Sequence, residues 1–165
     1  MKTTIAVIFT VSLSLSANAE TVKKVVRNAD GSPKEAVYLS DGKETAKEVF
    51  GPGGVSAGFT GAVPDGIVRE FYDNNVLKAF WTFKSGKPDG ASKEYYESAK
   101  PRSESDYKEG KLDGLRREYS AAGRLLLEEE YDEVILHWTR REYGDNGNLR
   151  AERNYKWGKL GGVSM

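Results

Sequence analysis

Cysteine is absent from this chain, and histidine occurs once, at His137. The first absence excludes a disulfide framework, a thiolate nucleophile, an anchoring lipidated cysteine and cysteine-based zinc or iron–sulfur sites. The second excludes a multi-histidine metal centre. Charge of one sign is also missing: 25 Lys+Arg stand against 25 Asp+Glu, so no global field points to nucleic acid as a partner. Nor is there an apolar run of about 20 residues, the length a membrane-spanning helix needs. With 38% apolar and 30% charged residues in 165, the chain suits one modest domain with a thin core.

What is present begins with an address. Lys2 precedes an apolar run from Ile5 to Leu15, and Ala17-Asn18-Ala19 precedes Glu20. This is the three-part pattern of a cleaved secretory signal over residues 1–19, with cleavage between Ala19 and Glu20. It predicts a soluble exported protein, periplasmic or extracellular. Removing residues 1–19 takes away only Lys2, leaving 24 bases against 25 acids.

The remainder repeats. Asp65-Gly66, Asp89-Gly90 and Asp113-Gly114 recur every 24 residues. The same register carries Glu70, Glu94, Glu118 and Glu142, then Phe71, Tyr95, Tyr119 and Tyr143. Twelve residues further on come Phe83, Tyr107, Tyr131 and Tyr155. Four units therefore follow one another without insertion over 65–162, and Gly162 opens the start of a fifth. Residues 20–64 form an N-terminal segment. Within it, Tyr38 and Phe50 keep the spacing of twelve around Asp41-Gly42, as one degraded unit, and the five glycines of 51–61 read as a flexible or irregular connection.

Each unit reads as a β-hairpin. In the best-preserved copy, two alternating segments flank Asp145-Asn146-Gly147, a three-residue loop whose last residue is left-handed. That loop sets Tyr143 opposite Leu149, Tyr119 opposite Leu125 and Phe71 opposite Leu77. The loop reads as a type I turn followed by a G1 bulge at Gly147, and continued without a further bulge the register also pairs Glu142 with Arg150, Glu94 with Arg102, Glu70 with Lys78, Arg140 with Glu152, Arg116 with Glu128 and Val68 with Phe80. The expected fold is all-β: an elongated, twisted antiparallel sheet of consecutive hairpins.

Two faces follow from strand alternation. Glutamates of successive hairpins lie two strands apart, about 9.6 Å and about one Debye length, with bases between them, so that face reads as charge-paired rather than as an acid–base site. The other face is expected to carry both aromatic columns together with Arg69, Lys93, Arg117 and Arg141. Two readings of it stay open. The long basic side chains seal a thin aromatic layer, or they form a basic aromatic groove for an acidic peptide, an anionic lipid or an anionic glycan. The binding candidates are Arg69, Lys93, Arg117, Arg141, Tyr95, Tyr119, Tyr143, Trp81 and Trp138; no catalytic residue, metal ligand or cofactor is expected. In the fourth unit, Val134-Ile135-Leu136-His137-Trp138 replaces the usual Gly-Lys-x-Asp-Gly. His137 there reads as a turn replacement and not a ligand.

The unit E-[FY]-x-x-x-[GN]-x-L followed by [FY]-K-x-G-K-x-D-G resembles the MORN-type repeat, in the bacterial variant of YwqK-family antitoxin-like proteins. Residues 83–90 and 107–114 carry the resemblance most clearly. It implies a non-enzymatic sheet of hairpins serving interaction or membrane association. The sequence therefore reads as an exported repeat protein that binds another protein or a cell-envelope component. The alternatives are an antitoxin or immunity-like protein neutralising a toxin, and a module for anionic membranes. An edge-to-edge homo-oligomer through open sheet edges is a further expectation.

Overall fold

The structure, a computed structural model, describes residues 20–164; the expected signal and its cleavage residue Ala19 lie outside them. Thirteen strands form one sheet: β1 (Thr21–Arg27), β2 (Pro33–Ser40), β3 (Lys43–Phe50), β4 (Ser56–Gly61), β5 (Gly66–Phe71), β6 (Leu77–Lys84), β7 (Lys87–Tyr95), β8 (Pro101–Lys108), β9 (Lys111–Tyr119), β10 (Leu125–Asp132), β11 (Ile135–Tyr143), β12 (Leu149–Lys156) and β13 (Lys159–Ser164). From β5 to β13 each strand pairs with its chain neighbours, as consecutive hairpins must. β1 joins the array differently, lying parallel to β5 over Thr21–Lys23 against Val68–Glu70.

Two kinds of turn alternate. On one edge, the N–H of Tyr72 donates to the Val76 carbonyl at 2.9 Å and that of Asn75 to the Tyr72 carbonyl at 2.9 Å. The same pair of bonds recurs at Tyr96, Ser120 and Gly144, and at Asn28 in the N-terminal segment. The last loop residue is left-handed each time, with φ of 62° at Asn75, 61° at Ala99, 86° at Gly123 and 82° at Gly147. These are the expected three-residue loops. On the other edge, two-residue turns have both residues at positive φ: Asp41-Gly42, Ser85-Gly86, Glu109-Gly110, Glu133-Val134 and Trp157-Gly158. That backbone matches the right-handed twist of the strands.

The hairpin register departs from the expected one immediately after the loop. Phe71 pairs with Leu77, as expected, but Glu70 then pairs with Ala79 and Val68 with Trp81. Lys78 is the extra residue of a bulge. Likewise Glu142 faces Ala151 rather than Arg150, and Glu94 faces Ser103 rather than Arg102. Glu152 faces Arg141 and Glu128 faces Arg117, where Arg140 and Arg116 were expected. A slip of one residue exchanges the faces of everything beyond it. Phe83, Tyr107 and Tyr131 consequently lie on the glutamate face, opposite Gly66, Gly90 and Gly114, and not beside Arg69, Lys93 and Arg117.

A second departure concerns residues 51–61. They form a 3-10 turn at Pro52–Gly54 and then the edge strand β4, paired with β3, instead of an irregular connection. The chain must next return from β4 to β5, across β3, β2 and β1. In a flat sheet that is about 19 Å, whereas residues 61–66 reach about 17 Å fully extended, so the N-terminal strands curl towards β5. Val63 on this crossover is 4% exposed and packs with Ala36, Tyr38, Ala46 and Val68, flanked by Val25, Phe50, Trp81 and Phe83. Gly61 makes the return practicable. A Cβ there would sit 2.2 Å from the Thr45 carbonyl oxygen, at a φ of 78°.

The array beyond this core is tied turn by turn. In the last three two-residue turns the second residue donates its N–H to a carbonyl near the start of the strand that follows the preceding two-residue turn: Gly110 to Pro88 at 2.7 Å, Val134 to Leu112 at 2.7 Å and Gly158 to Leu136 at 3.0 Å. Val134 holds this place at φ 77°, a conformation that is sterically costly for a β-branched residue. Val134→Gly should therefore raise stability by about 1 kcal/mol, read as a higher urea midpoint with an unchanged slope.

Candidate functional site

The face of Arg69, Lys93, Arg117 and Arg141 also holds Tyr95, Tyr119 and Tyr143, as strand alternation dictates. The basic column is fully interleaved with carboxylates. Arg69 Nη1 lies 3.2 Å from Glu20, Lys93 Nζ 2.9 Å from Glu104 and Arg117 Nε 2.8 Å from Glu128. Arg141 spans Glu128 at 3.1 Å and Glu152 at 2.8 Å. The Tyr119 hydroxyl adds a hydrogen bond to Glu104 at 3.1 Å. The bulge sets Glu104, Glu128 and Glu152 opposite Lys93, Arg117 and Arg141, whereas Glu20 reaches Arg69 from just before β1, which runs parallel to β5.

The glutamate face has its own ladder. Glu70 pairs with Lys78, and Glu94 approaches Arg102 at 4.0 Å. From β9 to β12 the chain of contacts is continuous. Arg116 bonds Glu118 and, at 2.7 Å, Glu129; Arg140 bonds Glu129 at 2.8 Å and Glu142 at 2.9 Å; Arg153 bonds Glu142 at 2.6 Å. Glu129, 1% exposed, is held between two guanidinium groups. The Tyr131 hydroxyl donates to it at 3.1 Å, a contact open to it because the register places Tyr131 on this face.

The fourth unit differs in kind. Trp138, Trp157, Leu160 and Val134 are each more than half exposed, at 55, 59, 54 and 55%, and Ile135 stands beside Val134 in the chain. The His137 ring lies between the two indoles, with centroids 4.6 Å from Trp138 and 4.5 Å from Trp157. Its Nδ1 accepts from the Trp157 N–H at 3.3 Å. In the first and second units aspartates at the same repeat position do this work: Asp65 accepts from the Ser85 N–H at 2.6 Å and Asp89 from the Glu109 N–H at 3.2 Å. His137, within β11, thus serves as acceptor for the Trp157 turn N–H in place of the aspartate, a role more specific than the turn replacement that the sequence suggested. Trp138, in contrast, takes the place of Gly66, Gly90 and Gly114, all at φ near 110°, without adopting positive φ itself.

Trp81 is separated from this cluster. It lies on the glutamate face next to the N-terminal core, with the Lys23 ammonium 5.2 Å from its ring centroid. The structure therefore divides the expected binding residues into three places: the ion-paired tyrosine face, the Trp81 end of the glutamate face, and the fourth-unit apolar surface. The sequence singled out Trp138 as a binding candidate, but not the positions that set it and Trp157 apart. Their distinction lies in occupying positions where the repeat calls for glycine or a small turn residue. Among the described residues no cluster of three or more His, Asp or Glu is arranged to hold a metal ion, and no helix is long and apolar enough to cross a membrane.

Residues 88–109 and 136–156 match the family described as the MORN repeat variant. The matches support a MORN-type repeat protein. They begin two periods of 24 residues apart, so the family register and the turn register coincide, and the atypical fourth unit remains a repeat. MORN repeats are generally associated with protein or membrane binding, and the family is generally non-catalytic. No curated protein matches the chain.

Three expectations follow from the ladders. The hydrogen bond from Lys93 holds the Glu104 carboxyl below the usual carboxylate range. At Glu128 burial pushes upwards, but Arg117 and Arg141 outweigh it; at Glu142 burial is likewise outweighed by Arg140 and Arg153. A depressed folded-state value gives stability that is complete above the unfolded glutamate range and is lost as pH falls through the folded value. The urea midpoint should accordingly stay level from about pH 8 to about pH 5 and drop below about pH 4. Glu129→Gln should cost about 2 kcal/mol, less than a fully buried pair because Arg116 and Arg140 are about one-third exposed. Combining it with Arg140→Gln should cost less than the two single losses together.

Proposed function

We propose that this chain is an exported, non-catalytic binding protein that engages a partner protein through the apolar surface of its fourth repeat. One observation carries this reading. Where neighbouring units have turn glycines, this unit has Val134 in the left-handed region and Trp138 in the open, at a conformational cost and with a gain in exposed apolar area. Residues that break the local rule of a repeat without benefit to the fold are the ones expected to serve a contact. Tryptophan is the side chain most enriched among the residues that dominate binding energy. Export is supported by the pattern of residues 1–19. The tyrosine–arginine face is the weaker candidate for an anionic ligand, because its bases already have carboxylate partners.

A photo-crosslinker in place of Leu160, exposed beside this surface, tests the proposal in the source cells. The expected product is an adduct with one protein, strongly reduced by Trp138→Ala combined with Trp157→Asn. Asparagine keeps the left-handed turn residue accessible at 157, and circular dichroism should show the sheet intact. Equal adducts from wild type and double variant, or adducts with lipid alone, would overturn the reading. A toxic effector as the captured protein would narrow it to an immunity role. Val134→Gly should bind the partner more weakly while unfolding at higher urea.

A further inference from the structure

A second site lies on the glutamate face, away from the fourth unit. The charge ladder that begins at Arg153 ends at Arg116 on β9, and the apolar core begins at Trp81 on β6. Between them, the positions held by Arg116, Glu129 and Leu127 in the third unit are Ser92, Ser105 and Ser103 in the second. Register places these three serines side by side: Ser92 pairs with both Trp81 and Ser105, while Ser103 pairs with Glu94 and Glu118. Short side chains between tall neighbours leave a trough of about 430 Å³, within the range of ligand sites.

Its floor is polar and unspent. Ser92 is only 7% exposed, yet its hydroxyl makes no hydrogen bond within the described residues; neither do those of Ser103 and Ser105. None of these oxygens is sealed from solvent, so they open into the trough. Hydroxyls that reach solvent and have no protein partner are free to exchange water for a ligand. One wall is the Trp81 indole, with its N–H also unpaired; the Tyr107 hydroxyl is likewise free among described residues. The rim carries Arg102 with Glu94 and Arg116 with Glu118, which are two bases and two acids.

We propose that this trough binds a neutral saccharide. Three chemical features select that class. Charge on the rim is balanced, which disfavours phosphate-bearing or strongly acidic ligands. The hydroxyl floor and the guanidinium and carboxylate rim supply both donors and acceptors at close spacing, as a polyhydroxylated ring requires. An indole wall offers a flat apolar surface to the C–H face of such a ring. An extended peptide is poorly served, because β6, β7, β8 and β9 are paired on both sides and no backbone edge opens into the trough.

The test uses the 15N-labelled protein with the neutral sugars cellotriose, maltotriose and tri-N-acetylchitotriose as probes, and oligoglutamate as the peptide arm. At least one trisaccharide at millimolar concentration should shift the Trp81 indole N–H together with the Ser92, Ser103 and Ser105 amides. Ser105→Tyr, which fills the trough from its floor, should weaken that binding about tenfold or more at unchanged thermal unfolding. If tyrosine unfolds the sheet, Ser103→Val, which removes a floor hydroxyl at small change of volume, should weaken it measurably. Absence of these shifts with all three sugars, equal binding by the folded variants, or shifts produced by oligoglutamate alone would overturn the proposal. None of these results bears on the crosslinking at Leu160, so the two sites stand or fall separately.

Discussion

The whole molecule depends on how a sheet one layer thick is held when both of its faces are wet. A hairpin cannot bury an apolar face without another layer to bury it against, and beyond β6 no second layer exists among the described residues. The substitute is the cross-strand carboxylate–guanidinium pair, made on both faces and joined into runs. An isolated exposed pair is worth about 0.2–1 kcal/mol, too little to hold a strand by itself. Joined pairs are different in two respects. Glu129 sits between Arg116 and Arg140, and Glu128 between Arg117 and Arg141, so each side chain is ordered once for two contacts. The arginine side chains are themselves only about one-third exposed, so their apolar stems add burial of a kind that a core supplies elsewhere.

This constraint explains which parts of the molecule were legible in the sequence. The period of 24, the alternation within strands and the left-handed end of each long loop are local properties. Repeated Asp-Gly, Glu and aromatic positions display them directly, and the hairpins follow. The bulge is different, because it is decided by whether Leu77 and Lys78 together face Phe71 or only Leu77 does. Residue types at those positions admit either arrangement, and the unbulged one even offers the reasonable pairs Glu70–Lys78 and Glu94–Arg102. Both of those contacts survive as ion pairs in the structure, since a long side chain reaches its partner across the bulge. What changes is everything beyond it: Glu128 and Glu152 move onto the basic column, and Phe83, Tyr107 and Tyr131 move off it. The candidate groove of free cations was a consequence of that unit slip. The parallel entry of β1 was illegible for another reason, since it rests on the non-local crossover through Gly61 and Val63, which only the fold brings beside Thr45 and Ala36.

Read along the sheet, the repeat positions change chemistry while the backbone stays the same. The core positions are apolar in the first unit, with Val68, Ala79 and Trp81; they are hydroxylic in the second, with Ser92, Ser103 and Ser105; and they are largely ionic in the third and fourth, with Arg116, Glu129, Arg140 and Arg153. The first set is demanded by the curled N-terminal strands that pack on it. The last set is demanded by the absence of any such layer. The middle set satisfies neither demand, having no apolar partner to bury and no charge to pair. That interval is where the sheet keeps unspent hydrogen-bonding capacity, and it lies between an aromatic wall and the end of a charge ladder because the two stabilising regimes stop there.

The fourth unit shows how much a repeat array tolerates. In a sheet whose strands contact only their neighbours, the cost of a poor turn stays within one hairpin and its junctions. Val134 and Trp157 stand in the left-handed region, and the junction nevertheless keeps its ties: the Val134 N–H to Leu112, the Gly158 N–H to Leu136, and the Trp157 N–H to His137 in the role of the usual aspartate. The hydrogen bonds that fix the turn are therefore preserved, and only local preference and apolar burial are given up. A compact core would spread such changes over many packed neighbours, whereas here they are confined to residues that already face solvent. An array of this kind can place a contact surface in one unit and a polar trough in another, because neither alters the pairing that carries the strands between them.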